Sequence, residues 1–82
     1  MTIKELLRNN KQINTLIIIA DVYVRGITKQ IIVGTLNVIR DKDNKYMSLE
    51  KLQDIDVTEN DNVLQWSIIL SSELEVKVHG DY

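Results

Sequence analysis

The chain contains no cysteine, which removes disulfides and thiolate zinc sites together. It has a single histidine, His79, and three glycines, at positions 26, 34 and 80. One histidine and no thiol leave no Cys–His pair and no His-rich zinc arrangement within one chain. No serine lies in a G-x-S-x-G turn, so the strand–turn–helix form of a Ser–His–Asp site is missing as well. The glycines are too few and too scattered for a G-x-x-x-x-G-K-[ST] or G-x-G-x-x-G phosphate loop. No apolar run approaches the roughly 18 residues of a membrane helix; the longest covers residues 16–20. The first residues show no basic stretch followed by an apolar one, so no signal peptide is expected. Together with the missing cysteine, this fits the cytoplasm.

What is present describes a small folded domain. At 82 residues the expectation is one domain, residues 1–82. A chain of this size buries only about 60% of its unfolded surface, so its core is thin. Small domains offset a thin core with disulfides, a metal or self-association. Without cysteine, self-association gains weight. Apolar residues at 44% and charged residues at 27% are ordinary for a globular protein and argue against disorder.

The net charge of −2 is mild, but its distribution is uneven. Residues 1–42 carry seven basic side chains against three acidic ones, and residues 43–82 carry nine acidic against three basic. If the halves pack together, these charges pair and intersperse on one surface. If they do not, the molecule is bipolar, with an acidic end that meets a basic partner or a second copy.

Periodicity predicts an α+β fold: a small antiparallel sheet of three to four strands with one or two short helices packed on one face. Thr2-Ile3-Lys4-Glu5 is a capping box, and Ile3, Leu6 and Leu7 follow at helical spacing until Asn9-Asn10. So short a helix needs tertiary packing and is expected to act as a lid. Residues 15–25 alternate with period two, with Leu16, Ile18, Ala20, Val22 and Val24 on one face. They form a long strand that ends at Gly26, or two shorter ones with a bend near Ala20-Asp21.

Residues 28–40 are predicted to be helical. Ile31, Ile32, Thr35, Leu36 and Ile39 form a stripe behind a Thr28 cap, while Gly34 and the β-branched residues keep a strand as the competing reading. A polar turn at residues 41–45 and a helical turn at residues 48–54 follow, with Leu49 and Leu52 inward. After an acidic loop at residues 56–62 come two strands, residues 63–70 and 73–79, joined at Ser71-Ser72. Leu74, Val76 and Val78 face inward on the second, and His79 faces out. A strict two-residue turn would place Trp66 opposite Lys77. A one-residue shift, by a longer loop or a bulge, pairs Trp66 with Val76 or Val78 and is the expected connection. Trp66 is then a core residue.

No catalytic residue, metal ligand or cofactor site is expected. Asp41-x-Asp43 fails as a calcium loop, because Lys45, Tyr46 and Leu52 stand where a third ligand, a glycine and a glutamate are needed. Two groups are candidate binding surfaces. The acidic residues Asp54, Asp56, Glu59 and Asp61 are solvated carboxylates in the plain reading. In the sharper ones they hold magnesium, act as an acid–base pair, or mimic phosphates and dock on a basic partner. Tyr23 and Arg25, on a strand face with Asp21, are residue types enriched at protein-binding hot spots. The plain reading there is an ordinary amphipathic strand end. Direct nucleic-acid binding is not expected, since the basic residues are dispersed and the chain is acidic overall.

The opening Met1-x-Ile3-Lys4-Glu5-Leu6-Leu7, the strand ending Tyr23-Val24-Arg25-Gly26, and the closing Leu64-x-Trp66 and Leu74-x-Val76-x-Val78 span most of the chain. In these features it resembles small uncharacterised proteins encoded by phages and prophages of Gram-positive bacteria. The resemblance implies a non-catalytic protein in the host-cell cytoplasm that binds a host or defence protein, such as a CRISPR nuclease, and inhibits it. It also implies an alternative, a homo-oligomer that sequesters a small anionic, nucleotide-like ligand, with Arg25 and other basic side chains at the subunit interface. It assigns no residue-level role.

Overall fold

The structure is a computed structural model, and it describes residues 1–78. One helix, α1 (Ile3–Asn9), precedes five strands: β1 (Thr15–Val24), β2 (Ile27–Arg40), β3 (Tyr46–Lys51), β4 (Val63–Leu70) and β5 (Glu73–Val78). The strands form one sheet in the order β3-β2-β1-β5-β4. All neighbours are antiparallel except β1 and β5, which run parallel. The parallel pair arises because residues 52–62 carry the chain across the sheet from the β3 edge to the β4 edge, and β5 then returns beside β1. The fold is therefore mostly β with one short helix, with more strands than the expected three to four and a mixed rather than antiparallel sheet.

The helix forms as its capping box predicts. The Thr2 hydroxyl accepts from the Glu5 amide at 3.3 Å, and Ile3, Leu6 and Leu7 are buried. Seven residues are too few for a helix to persist alone, so both ends must be held from outside. The amides of Ile3 and Lys4 donate to the carbonyls of Asp61 (3.1 Å) and Glu59 (2.9 Å) in the crossing segment. At the other end, the Asn10 side chain donates to the Leu6 carbonyl at 2.7 Å. The Arg40 guanidinium donates to the carbonyls of Leu7 (3.2 Å), Asn10 (2.9 Å) and Ile13 (2.9 Å).

Below the helix, Leu16 and Ile18 of β1, Leu36 and Val38 of β2, and Leu74, Val76 and Val78 of β5 form the core with Ile13, Ile55 and Val57. β1 is one unbroken strand at the centre of the sheet. On the face away from the helix Ile19 is buried and Thr15 and Ile17 are half-buried, so the expected burial of the first half of β1 on both faces is reached only in part. The uneven halves of the chain interleave: β5 lies against β1, and the ion pairs Lys4–Glu59 and Lys77–Asp21 both join first half to second.

Two helical expectations fail. Residues 28–40 lie within β2, and residues 48–51 of the expected second helical turn lie within β3. Ile31 and Ile32, neighbours on the supposed helical stripe, pair with Ala20 and Ile19 and so fall on opposite faces of the sheet. A bulge at Val33, between the Ile19–Ile32 and Ile18–Gly34 pairs, restores Leu36 and Val38 to the core face. Gly34 is needed for a close approach: a Cβ built there would lie 2.7 Å from Ile55 Cγ2 and 3.1 Å from Gln53 Oε1. The same Gln53 oxygen accepts from the Thr35 amide at 2.8 Å, which docks the start of the crossing segment on β2.

The β1–β2 turn has positive φ at both central residues, 52° at Arg25 and 79° at Gly26, the geometry that matches the twist of a two-residue hairpin. At the other hairpin, Ser71 and Ser72 join β4 to β5 with Leu70 opposite Glu73, and a bulge at Ile69 shifts the register so that Trp66 opposes Val76. The expected pairing is thus reached by a bulge. The expected outward position of His79 lies outside the described residues. Among the described residues, no helix is long and apolar enough to cross a membrane.

Gly34→Val should destabilise the fold by about 1–3 kcal/mol in urea unfolding, because overpacking against Ile55 outweighs the roughly 0.5–1 kcal/mol gained by removing a glycine from a strand. Adding Ile55→Ala should recover part of that loss. A purely additive double variant would show that the contact is not the cause.

Candidate functional sites

The acidic loop does not assemble into a site. Asp61 uses its carboxylate to accept from the Thr58 amide, and its backbone carbonyl holds the helix N-terminus. Glu59 accepts from the Tyr46 hydroxyl and lies 3.9 Å from Lys4 Nζ. Asp54 and Asp56 are exposed, with no side-chain hydrogen bond or ion pair among the described residues. No three acidic or histidine side chains among the described residues converge as metal ligands. Two of the four carboxylates therefore brace the loop and Tyr46, and the other two are solvated. Tyr46 is held neutral well past its ordinary range, first by burial and then by the hydrogen bond and negative charge of Glu59, with Arg8 opposing.

The second candidate is partly assembled. Asp21 and Tyr23 alternate onto the same face of β1, away from the helix, and Asp21 pairs with Lys77. Arg25 is not on that face; it occupies the left-handed turn at the strand's end. Tyr23 is 74% exposed and belongs to a larger surface. Among the described residues, the β1–β2 hairpin continues past the last β1–β5 pair, Ile19 with Lys77, as a two-stranded arm of residues 20–32. Val24, Ile27, Ile31 and Ile32 on the arm are exposed, with Arg25 and Lys29 among them. Reading residues 28–40 as a helix hid these isoleucines. The signal for them was the density of β-branched residues on both sides of Arg25-Gly26.

Trp66 is not a core residue. It is 46% exposed although it lies opposite the buried Val76, because β4 is the outermost strand and the helix covers only the middle of the sheet.

A cavity of about 240 Å³ opens where the C-terminal end of the helix meets the turn after β2. Arg8, Lys11, Arg40 and Lys45 line it with Asn44 and Tyr46; among the described residues no carboxylate lines it, and the nearest one placed by a contact is Glu59, which accepts from Tyr46. Arg40 holds backbone carbonyls, and burial lowers its pKa from the usual arginine value. Asp41, the nearest acid in sequence, is turned into its own loop, where it accepts from the amides of Asp43 (2.8 Å) and Lys45 (2.9 Å). A helix C-terminus contributes roughly half a negative charge at most. The four cations outweigh it, so the cavity is electropositive in a chain that is acidic overall.

Tyr46→Phe removes the hydrogen bond to Glu59 and should cost about 1 kcal/mol. Because the phenol's pKa is raised above its ordinary 10.0 in the folded state, its contribution is present below that pH and is lost as pH rises further. Thermal unfolding at a series of alkaline pH values should therefore show the difference between wild type and Tyr46→Phe shrinking. A constant difference would count against the linkage.

In comparisons with known proteins, no family model, no curated protein and no solved structure matches the chain, and the functional reading rests on the geometry of these surfaces.

Proposed function

We propose that the chain is a non-catalytic protein-binding module whose arm, residues 20–32, docks in an apolar cleft of a partner protein. The observation that carries this reading is the exposure of Tyr23, Val24, Ile27, Ile31 and Ile32 on one two-stranded projection. Isolated exposed apolar residues are commonplace, but here they are grouped on one projection, Val24, Ile27 and Ile31 on one face and Tyr23 and Ile32 on the other, and such grouping marks an interaction surface. A hairpin held by its own ladder loses little entropy on docking, which favours recognition by insertion. Asp21 is already paired with Lys77, leaving Arg25 and Lys29 as the arm's exposed charges, so the fitting cleft is rimmed by carboxylates. A host or defence protein is the partner class that the resemblance to phage-encoded proteins implies, and inhibition would follow if the cleft is one its owner needs.

The double variant Tyr23→Asp/Ile32→Asp alters exposed positions away from the core and should leave the melting temperature nearly unchanged. Affinity capture from host lysate should recover a specific partner with wild type and lose it with the variant. An unchanged partner profile would place the docking surface elsewhere.

The electropositive cavity favours a second reading, capture of a small phosphate-bearing anion. Titration calorimetry with pyrophosphate at low salt should give binding that Arg8→Glu/Lys11→Glu abolishes, and that weakens as salt screens the charges. Absence of binding by wild type would remove this reading and leave the first untouched.

A further inference from the structure

The two edges of the sheet are unlike. The β3 edge carries Glu50 and Lys51, charges of the kind that discourage strand addition. The β4 edge has no charged residue from Val63 through Leu70, and among the described residues its only backbone partner besides β5 is Met1, whose carbonyl accepts from the Val63 amide at 2.8 Å. Leu64, Trp66, Ile68, Ile69 and Leu70 are each between 46% and 58% exposed. A long edge strand with unpaired backbone groups and an apolar surface on this scale is a site for pairing with another strand.

We propose that this strand is a second copy's β4, paired antiparallel about a twofold axis through Ser67, so that two five-stranded sheets become one continuous sheet.

The register follows from three constraints. Residues directly opposite in a ladder share a face, so a twofold normal to the sheet must pass through a residue position to keep helix-covered face with helix-covered face. The exposed apolar set runs from Leu64 to Leu70 and is centred on Ser67. An axis there places Trp66 opposite Ile68 in the regular stretch between the bulges at Leu64 and Ile69, with Leu64 and Leu70 flanking that pair at equal distance from the axis. Trp66 and Ile68 oppose Val76 and Leu74 within the protomer, which puts both on the helix-covered face. Their cross-copy pairing, made twice by symmetry, sets an aromatic ring against a β-branched side chain, a favourable combination. An axis through Trp66 would instead bring Leu70 opposite Asn62 and leave the end of the run uncovered.

The size of the surface also fits a second copy. Five residues about half exposed amount to on the order of 500 Å² per chain, somewhat below the roughly 800 Å² per partner of standard interfaces. The expected assembly is therefore a reversible dimer rather than an obligate one. The interface uses no residue of the arm and none of the basic cavity, so it stands or falls separately from both functional readings.

The absence of cysteine makes a direct test possible. Ser67→Cys places the only thiol at the axis, whereas Ser48→Cys places it on the opposite edge, on β3. With a short thiol-to-thiol cross-linker, Ser67→Cys should convert largely to covalent dimer and Ser48→Cys should stay largely monomeric. Light scattering on wild type should give twice the monomer mass at high concentration. Trp66→Lys, an exposed position, should return the monomer mass with the circular dichroism spectrum retained. A wild type that is monomeric at millimolar concentration overturns the proposal. So does equal cross-linking at the two positions, or a dimer that survives Trp66→Lys. Capture of the arm's partner by the monomeric Trp66→Lys variant is expected, which keeps this test separate from that of the arm.

Discussion

The guanidinium of Arg40 donates to the carbonyls of Leu7, Asn10 and Ile13, and to a fourth at Asn44. A helix of seven residues cannot survive on its own hydrogen bonds, and its C-terminal carbonyls need donors from outside. A charged donor with several N–H groups in a fixed fork suits that task, since hydrogen bonds to a charged group are worth more than neutral ones. Burial disfavours the charge and lowers the pKa, but arginine's intrinsic basicity is high enough to keep it protonated. One side chain thereby fixes the end of the helix, the loop into β1 and the turn into β3.

The helix N-terminus is held by the crossing segment in a complementary way. The carbonyls of Glu59 and Asp61 take the first free amides, and the carboxylates of the same residues brace the loop and Tyr46. The acidic segment, read from the sequence as solvated carboxylates with docking as the alternative, is also an anchor for the helix. It reaches that position only because Gly34 lets Ile55 settle against β2. Arg40 at one end, the crossing segment at the other and Gly34 beneath determine which part of the sheet is covered.

Coverage is what separates core from surface in this molecule. The helix and the crossing segment roof β1, the second half of β2 and β5, and they leave the arm and β4 open. In 82 residues there is not enough chain to cover a five-stranded sheet with a fourteen-residue strand in it. The apolar side chains left over are grouped, at the arm and along β4.

Residues close together in sequence could be read directly. The capping box, the period-two pattern of β1 and the alternation of Leu74, Val76 and Val78 each depend on a few neighbouring side chains, and each appears in the fold as the pattern implies. The register of β4 on β5 was legible too, because charged and apolar residues had to be kept on separate faces. Residues 28–40 were not. Their stripe satisfies a helix as well as a bulged strand, and the choice belongs to β1, which offers a ladder of backbone partners, and to Ile55, which needs the space at Gly34. Trp66 was misjudged for the same kind of reason: alternation assigns it a face, but only the extent of the helix decides whether that face is covered. The sequence by itself determined the helix start, the central strand, the final hairpin and the absence of the common metal and nucleotide motifs, all of them local or compositional. The tertiary structure decided the strand order, the role of the acidic loop and the position of the exposed apolar residues, because each depends on which distant segment lies on top.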